Sequence, residues 1–316
     1  MTQFSNALPA GTQVDDYIID SVLGGGGFSI VYRAHHKDSE QTVVIKEYMP
    51  QKLAKRVANN HIASINSIDP DSFNKGKKLF FQEASSLGML KHPNIVRVIT
   101  FFPANNTNYM VMEEVKGVNL QSYIRKYEGN LSEKLLRVIL PELVSGIRAI
   151  HQQKLLHLDI KPGNVHLRAG GIPLLLDFGA VRESHGSRLY DCRVVATAGF
   201  APIEQITDRG YLGPWTDIYA IGATIRSCIE GKAPPPAQER KDNDKMVPAV
   251  KAFKDKYSEE FLKIVDWAME FDPEIRPQSC EQLMEEIAKL PELKEKPKKK
   301  PGLFKKLANT LNKKVM

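Results

Sequence analysis

The sequence predicts an α+β chain in two lobes, a small β-rich front carrying one helix and a larger, mainly helical back. Three observations carry that prediction. Short runs of β-branched and aromatic residues crowd the stretch 17–46 around a glycine cluster. One amphipathic stretch, 72–91, follows them. After Gly117 the pattern changes to long helical segments, and a strand-rich half joined to a helix-rich half implies two packed units.

Taken in order, YIIDSVL, IVYRAHH and TVVIKEY read as strands, the first two on either side of the glycines. In 72–91, Leu79, Phe80, Ala84, Leu87 and Leu90 recur at helical spacing. IVRVITFF and NYMVMEEV are two further strands, parted by the turn cluster PANNTN. LSEKLLRVILPELVSGIRAIHQQ and SEEFLKIVDWAMEF are helices of the back half. No internal repeat is visible, and the Lys-Pro alternation at 294–301 marks a linker that ends the fold.

Composition narrows the class. With 316 residues, 42% hydrophobic and 26% charged, the chain is ordinary globular protein with enough apolar side chains for one or two cores. No apolar run approaches the roughly 18 residues of a membrane span, and MTQFSNALPAGTQVDD lacks the basic start and apolar core of a signal peptide. Cys192, Cys228 and Cys280 are too few and too scattered for a disulfide framework or a thiolate metal site, and they fit a reducing cytosol. The formal charge of +7 resides in the tail. Residues 294–316 hold nine lysines and one glutamate, which leaves 1–293 at −1, so no nucleic-acid partner is expected.

Chemistry enters with LGGGGFSIVYRA. Glycine lets backbone N–H groups approach phosphate oxygens because no Cβ blocks them, although such a run taken alone is more often a flexible turn. Lys46 in VVIK follows on the next strand. Glu83, the only acidic residue between Asp71 and Glu113, lies on the amphipathic stretch, where it could pair with Lys46 and hold it toward phosphates. HLDIKPGN and, a short strand later, DFG supply Asp159, Asn164 and Asp177, hard oxygen groups suited to magnesium and phosphoryl transfer. Singly, Asp159 and Asn164 could do no more than satisfy loop backbone. The joint order decides: glycine loop, strand lysine, helix glutamate, HxDxKxxN, DFG and a PxE element occur once each, in that sequence.

On these motifs residues 17–290 resemble the eukaryotic-type (Hanks-type) serine/threonine protein kinases, and IKEYMPQKLAKR and DIKPGNVHL are most similar to bacterial members. The resemblance implies a bilobal protein-kinase-like fold, with an N-lobe at 17–115, a C-lobe at 116–290, an N-terminal extension at 1–16 and a basic tail at 291–316. It implies ATP with Mg2+, Mn2+ being an alternative, and transfer of the γ-phosphate to Ser/Thr hydroxyls of proteins, this chain included. Asp159 would be the catalytic base, Lys161 the lysine typical of Ser/Thr kinases, and Asn164 and Asp177 the metal ligands. Leu23, Gly24, Gly26, Val31, Val44, Lys46, Glu83, Glu113, Val115 and His166 would make the nucleotide site. In it Lys46 would meet phosphates, Val31 would cover adenine and His166 would floor it. Glu113 and Val115 would offer backbone hydrogen bonds beyond the gatekeeper Met112, and Asn119 would lie near the ribose. Thr197 would sit in the substrate-docking loop, Glu204 would pair with Arg276, and Asp217 would brace the catalytic loop.

The sequence departs from the family pattern at four places. Ser29 replaces the third loop glycine and still permits backbone approach. Leu158 stands where many members have an arginine that meets a phosphorylated activation loop, so activity need not depend on phosphate there, although Ser184, Ser187 and Tyr190 remain modifiable. His166 replaces an aliphatic residue and reads as packed rather than pH-sensing. The 37-residue step from Lys46 to Glu83 implies an insertion at 50–71, with ANN a turn between two short extended pieces.

Two alternatives stand beside the active Ser/Thr kinase: a pseudokinase scaffold and a small-molecule kinase of related fold. Retention of Lys46, Asp159, Asn164 and Asp177 argues against the first, and TAGFAPIE together with Asp217 and Arg276 argues against the second. The expected setting is bacterial signalling in the cytoplasm. In the tail, Leu303, Phe304, Leu307, Leu311 and Val315 share one helical face. Such a basic amphipathic helix suits an anionic membrane surface, an acidic partner or the kinase domain itself, a solvated tail being the plain alternative.

Overall fold

The computed structural model describes residues 5–65, 70–177, 182–183, 196–207 and 211–293. Its front half contains β1 (Gln13–Val14), β2 (Tyr17–Gly25), β3 (Ser29–His36), β4 (Thr42–Tyr48), β5 (Ala54–Arg56), β6 (Ile62–Ser64), α1 (Pro70–Gly88), β7 (Val98–Ala104) and β8 (Thr107–Glu113). Six of these strands form one antiparallel sheet in the order β1-β2-β3-β4-β8-β7. Asn105 and Asn106 both have positive φ, 50° and 61°, the backbone that a two-residue hairpin turn between β7 and β8 demands and that asparagine tolerates.

Helix α1 lies on one face of this sheet through Phe73, Phe80, Ala84 and Leu87, all buried. Tyr48 of β4 meets Phe73 and Phe80 at centroid distances of 5.7 and 5.8 Å, and Gly76 leaves the room that the Tyr48 ring fills. The stripe differs from the sequence expectation at Leu79, which is 39% exposed, and the helix ends at Gly88 instead of 91. Periodicity finds the helix, yet glycine and the turn from Leu87 O to Leu90 N–H end it early. The stretch 50–71 contains the two extended pieces expected, β5 and β6, paired in an antiparallel hairpin around Ala58–Asn60, but α1 claims its last two residues. Likewise Gln13–Val14 of the extension adds an edge strand to the sheet.

The back half holds β9 (Val118–Asn119), α2 (Leu120–Lys126), α3 (Glu133–Gln152), β10 (Leu155–Leu156), β11 (Val165–Leu167), β12 (Pro173–Leu175), β13 (Arg182–Glu183), α4 (Ile203–Ile206), α5 (Pro214–Glu230), α6 (Ala237–Asn243), α7 (Ala249–Ala252), α8 (Glu259–Ala268) and α9 (Cys280–Ala288). Every residue of α5 from Thr216 to Ile229 is buried, because α3 and α8 pack on it from different sides. Its central position also buries polar residues, among them Asp217 and Arg226, both of which have hydrogen-bond partners. Cys228 and Cys280 are buried thiols.

Candidate active site

Strand pairing brings the front of the site together. Val31 is paired with Lys46, and Val44 with Met112, across neighbouring strands, so all four project from one face of the sheet. Lys46 Nζ lies 2.5 Å from Asp177 Oδ1 and 3.6 Å from Glu83 Oε1. Burial alone would push the Lys46 amine down, but the Asp177 and Glu83 carboxylates outweigh it and hold it raised. Burial pushes the Glu83 carboxyl up to about 7, more than the Lys46 charge pulls it down. The lysine is therefore the group that stays ionised, and Glu83 is the member of the pair that titrates.

The end of β2 and the loop that follows it hold the glycines. A Cβ at Gly24, Gly26 or Gly27 would meet no protein atom within 4 Å, and none of the three has positive φ. Neither packing nor positive φ calls for glycine there, and the open space leaves room for close approach to the backbone. Leu23 beside them is exposed. At the other wall, the Glu113 N–H donates to Arg97 O at 3.0 Å. The Val115 N–H has no hydrogen-bond partner among the described residues.

Asn119 and His166 both have contacts within the protein. Asn119 caps α2 by accepting from the N–H groups of Gln121 and Ser122, and its amide donates to Gly163 O at 2.7 Å. Its side chain thus has a structural duty at the start of α2. The His166 ring lies against Gly117, with Nδ1 buried and without a partner.

The catalytic-loop residues converge on one carboxylate. Asp159 Oδ1 accepts from the Thr197 hydroxyl at 2.8 Å and from Lys161 Nζ at 3.0 Å, while Oδ2 accepts from the Asn164 amide at 2.9 Å. Lys161 also donates to Thr197 Oγ1 at 2.9 Å, closing the ring. With its amide nitrogen committed to Asp159, Asn164 has its carbonyl oxygen left as an acceptor.

Behind this ring stands Asp217, fully buried on α5. Its carboxylate accepts from the N–H groups of His157 and Leu158 at 2.8 Å each and from His151 Nε2 at 2.8 Å. Burial would raise the Asp217 carboxyl; His151 and the charge and N–H of His157 reverse that and hold it low. Leu158, with φ of 60°, is held in the left-handed region between this carboxylate and Gln205, whose amide donates to Leu158 O at 2.7 Å. Burial lowers His157, and its Nδ1 accepts from the Asp159 N–H at 3.3 Å. Arg276 pairs with Glu204 at 2.6 Å, both buried.

Sequence reasoning missed Gln205 and His151, since neither residue type advertises a backbone or carboxylate brace. It also missed Gln51, whose N–H donates to Gly27 O at 3.0 Å and whose amide donates to Gly26 O at 3.1 Å. Phe178 and Gly179 of DFG, the residues Ser184, Ser187, Tyr190 and Cys192, and the tail 294–316 lie outside the described residues.

A two-lobed fold with a strand lysine, a helix carboxylate and a braced loop behind them is the arrangement of the protein kinase class. Comparison with known proteins agrees: the protein kinase domain family matches residues 17–287. The chain belongs to the protein kinase family. Serine/threonine-protein kinase B of Synechocystis is 34% identical over 67% of this chain and 36% of its own length. Serine/threonine-protein kinase D of the same organism is 28% identical over 88% of this chain and 52% of its own length. The chain thus spans about a third to a half of these curated relatives. The solved structure of the apo form of PpkA-294 is 38% identical, with a TM-score of 0.79 over 90% of this chain and all of the other.

Proposed function

We propose that this chain is an active serine/threonine protein kinase, moving the γ-phosphate of Mg-ATP onto protein hydroxyls in bacterial signalling, with itself among the substrates. The observation that carries the reading is the pinned Asp159 carboxylate, held by Thr197, Lys161 and Asn164. A serine hydroxyl is a weak nucleophile, and a loose phosphoryl transition state asks for orientation more than base strength. Asp159 would orient the hydroxyl and take its proton at a carboxylate oxygen. Lys46, kept ionised, would hold phosphate oxygens, and Gly24 and Gly26 would let backbone close over them. The Val115 N–H and the Glu113 carbonyl would meet adenine.

The residues fit a divalent metal. Asp177 supplies a carboxylate 42% exposed toward solvent, and the Asn164 carbonyl is an accepting oxygen. Among the described residues no group of three or more His, Cys, Asp and Glu could hold a metal alone. That suits magnesium, which is commonly held by one or two protein oxygens plus substrate phosphates. Bound there, it would supply neutralisation of phosphate charge.

We read 17–115 and 116–290 as the two kinase lobes, 1–16 and 50–71 as additions to the first, and 291–316 as a basic tail for an anionic membrane surface or an acidic partner. No described helix is long and apolar enough to cross a membrane. The tail reading supports a cytoplasmic enzyme peripheral to the inner face. Sedimentation with anionic and neutral vesicles decides it: equal, negligible binding by full-length protein and by a chain ending at Leu293 sinks the membrane reading.

The test of the activity is phosphate transfer from radiolabelled ATP to a generic basic protein. Asp159→Asn should lose at least about a hundredfold in turnover. A wild type that transfers nothing with any metal, yet binds a partner tightly, would overturn the proposal.

A further inference from the structure

Lys46 and Glu47 are neighbours in β4, so their side chains leave opposite faces of the sheet. Lys46 faces α1 and Asp177. Glu47 faces the other way and is fully buried, at 0% exposure, which is unusual for a carboxylate. What covers it is an added layer. Leu8 donates its N–H to Tyr32 Oη, and Asn6 holds Arg56 of the β5–β6 hairpin through its carbonyl at 2.7 Å.

Three side-chain donors converge on Glu47. Oε2 accepts from Tyr32 Oη and from Arg56 Nη2, each at 2.6 Å, and Oε1 accepts from Tyr109 Oη at 2.6 Å. Tyr32 belongs to β3 and Tyr109 to β8, the two strands flanking β4. Burial and the Glu47 charge push both phenols up, so they act as donors at any working pH. Arg56 also donates from Nε to Asn6 O and from Nη1 to Asn60 O, the latter at 2.8 Å. One guanidinium therefore joins the N-terminal segment, the hairpin and the strand that carries Lys46. The chain entering the hairpin also grips the glycine loop, through Met49 N–H to Phe28 O at 2.8 Å and through both Gln51 bonds to Gly26 and Gly27.

Burying a charged pair is a poor way to gain stability, since well-packed apolar residues do as well. A directional, fully satisfied network instead fixes one register and one geometry. We propose that Glu47 and Arg56 are positioning residues for nucleotide binding: their buried ion pair fastens an outer layer, residues 5–8 and 50–65, onto both the Lys46 strand and the glycine loop, and so keeps Lys46 in reach of Glu83 from within the small lobe. This rests on reading Lys46 as the lysine that meets nucleotide phosphate.

The test compares full-length wild type with Arg56→Met, Arg56→Lys, Tyr109→Phe and Leu283→Ala. Leu283 is buried in α9 of the back half, outside the residues read as the nucleotide site, and serves as a control that lowers stability alone. Three quantities are read: affinity for a fluorescent ATP analogue, amide hydrogen exchange across α1, and the melting temperature. Arg56→Met should weaken nucleotide binding about tenfold, the effect expected of a side chain that orients a ligand-binding one. It should also speed exchange in α1. Arg56→Lys should recover part of both, since lysine reaches Glu47 but not Asn6 and Asn60 together. Tyr109→Phe removes the bonds to Glu47 and from the Asn105 amide but no charge, so it is the milder variant, and it should show the same pair of effects at about threefold. Leu283→Ala should lower the melting temperature and change neither. A fall in melting temperature for Arg56→Met and Tyr109→Phe with affinity and α1 exchange unchanged overturns the proposal. Exchange in α1 decides the clamp by itself, while phosphate transfer by the wild type decides the activity separately.

Discussion

The Thr197 hydroxyl donates to Asp159 Oδ1 across 2.8 Å while accepting from Lys161 Nζ at 2.9 Å. One hydroxyl thereby orients both the carboxylate and its neighbouring cation. Thr197→Ala should lower kcat about ten- to a hundredfold, as loss of an orienting partner does, with the melting temperature little changed. Thr197→Ser, which keeps the hydroxyl, should retain most turnover. Equal loss in both variants would mean that the methyl group, and not the hydrogen bond, matters.

Leu158 supplies no cation to the activation segment. Its side chain is buried and its backbone is fixed by Asp217 on one side and Gln205 on the other. Phosphatase-treated enzyme should therefore keep most of its activity in a peptide-phosphorylation assay. Ser184→Ala and Ser187→Ala should be tolerated for the same reason. A strict requirement for phosphate on either serine would refute this.

The Glu204–Arg276 pair ties α4 to the segment before α9 in a buried setting, with Arg276 further bonded to the carbonyls of Glu270 and Phe271. Removing one member leaves the other charge buried and unpaired. Arg276→Met should cost about 3–5 kcal/mol in urea unfolding. The double variant Glu204→Gln/Arg276→Met should cost less than Arg276→Met alone. If the double variant is the worse of the two, the pairing argument fails.

How much of this was legible in the sequence depends on range. The strands, α1 and the residues Lys46, Glu83, Asp159, Asn164 and Asp177 were readable because local periodicity and motif order encode them. The Asp217 brace followed from resemblance, and the distances agree with it. The capping role of Asn119 was not read from the sequence, since it depends on where α2 starts. Nothing local announces that Glu47 is buried. Its partners lie 9, 15 and 62 residues away, and only the tertiary fold collects them. The hairpin at 54–64 was visible as a turn between extended pieces, but its duty was not, because Arg56 reads in sequence as one more surface cation.

Glu83 gives the site a pH dependence whose sign can be worked out. Burial raises its folded value to about 7 from the ordinary 4.5. Between those values the native state holds a proton that the unfolded chain has released, so stability falls as pH rises through the interval. Above the folded value the loss is complete and constant. Glu83→Gln removes it, and the melting temperature of the variant should gain on the wild type by a few degrees from about pH 5 to about pH 8. Function should move the other way. Only ionised Glu83 pairs with Lys46, which the Asp177 carboxylate keeps charged throughout. Wild-type affinity for an ATP analogue should accordingly rise through neutral pH, whereas Glu83→Gln should bind more weakly with a flat profile. Parallel melting curves for the two proteins across this range would show that Glu83 does not titrate there, and a wild-type affinity independent of pH would show that its charge does not position Lys46.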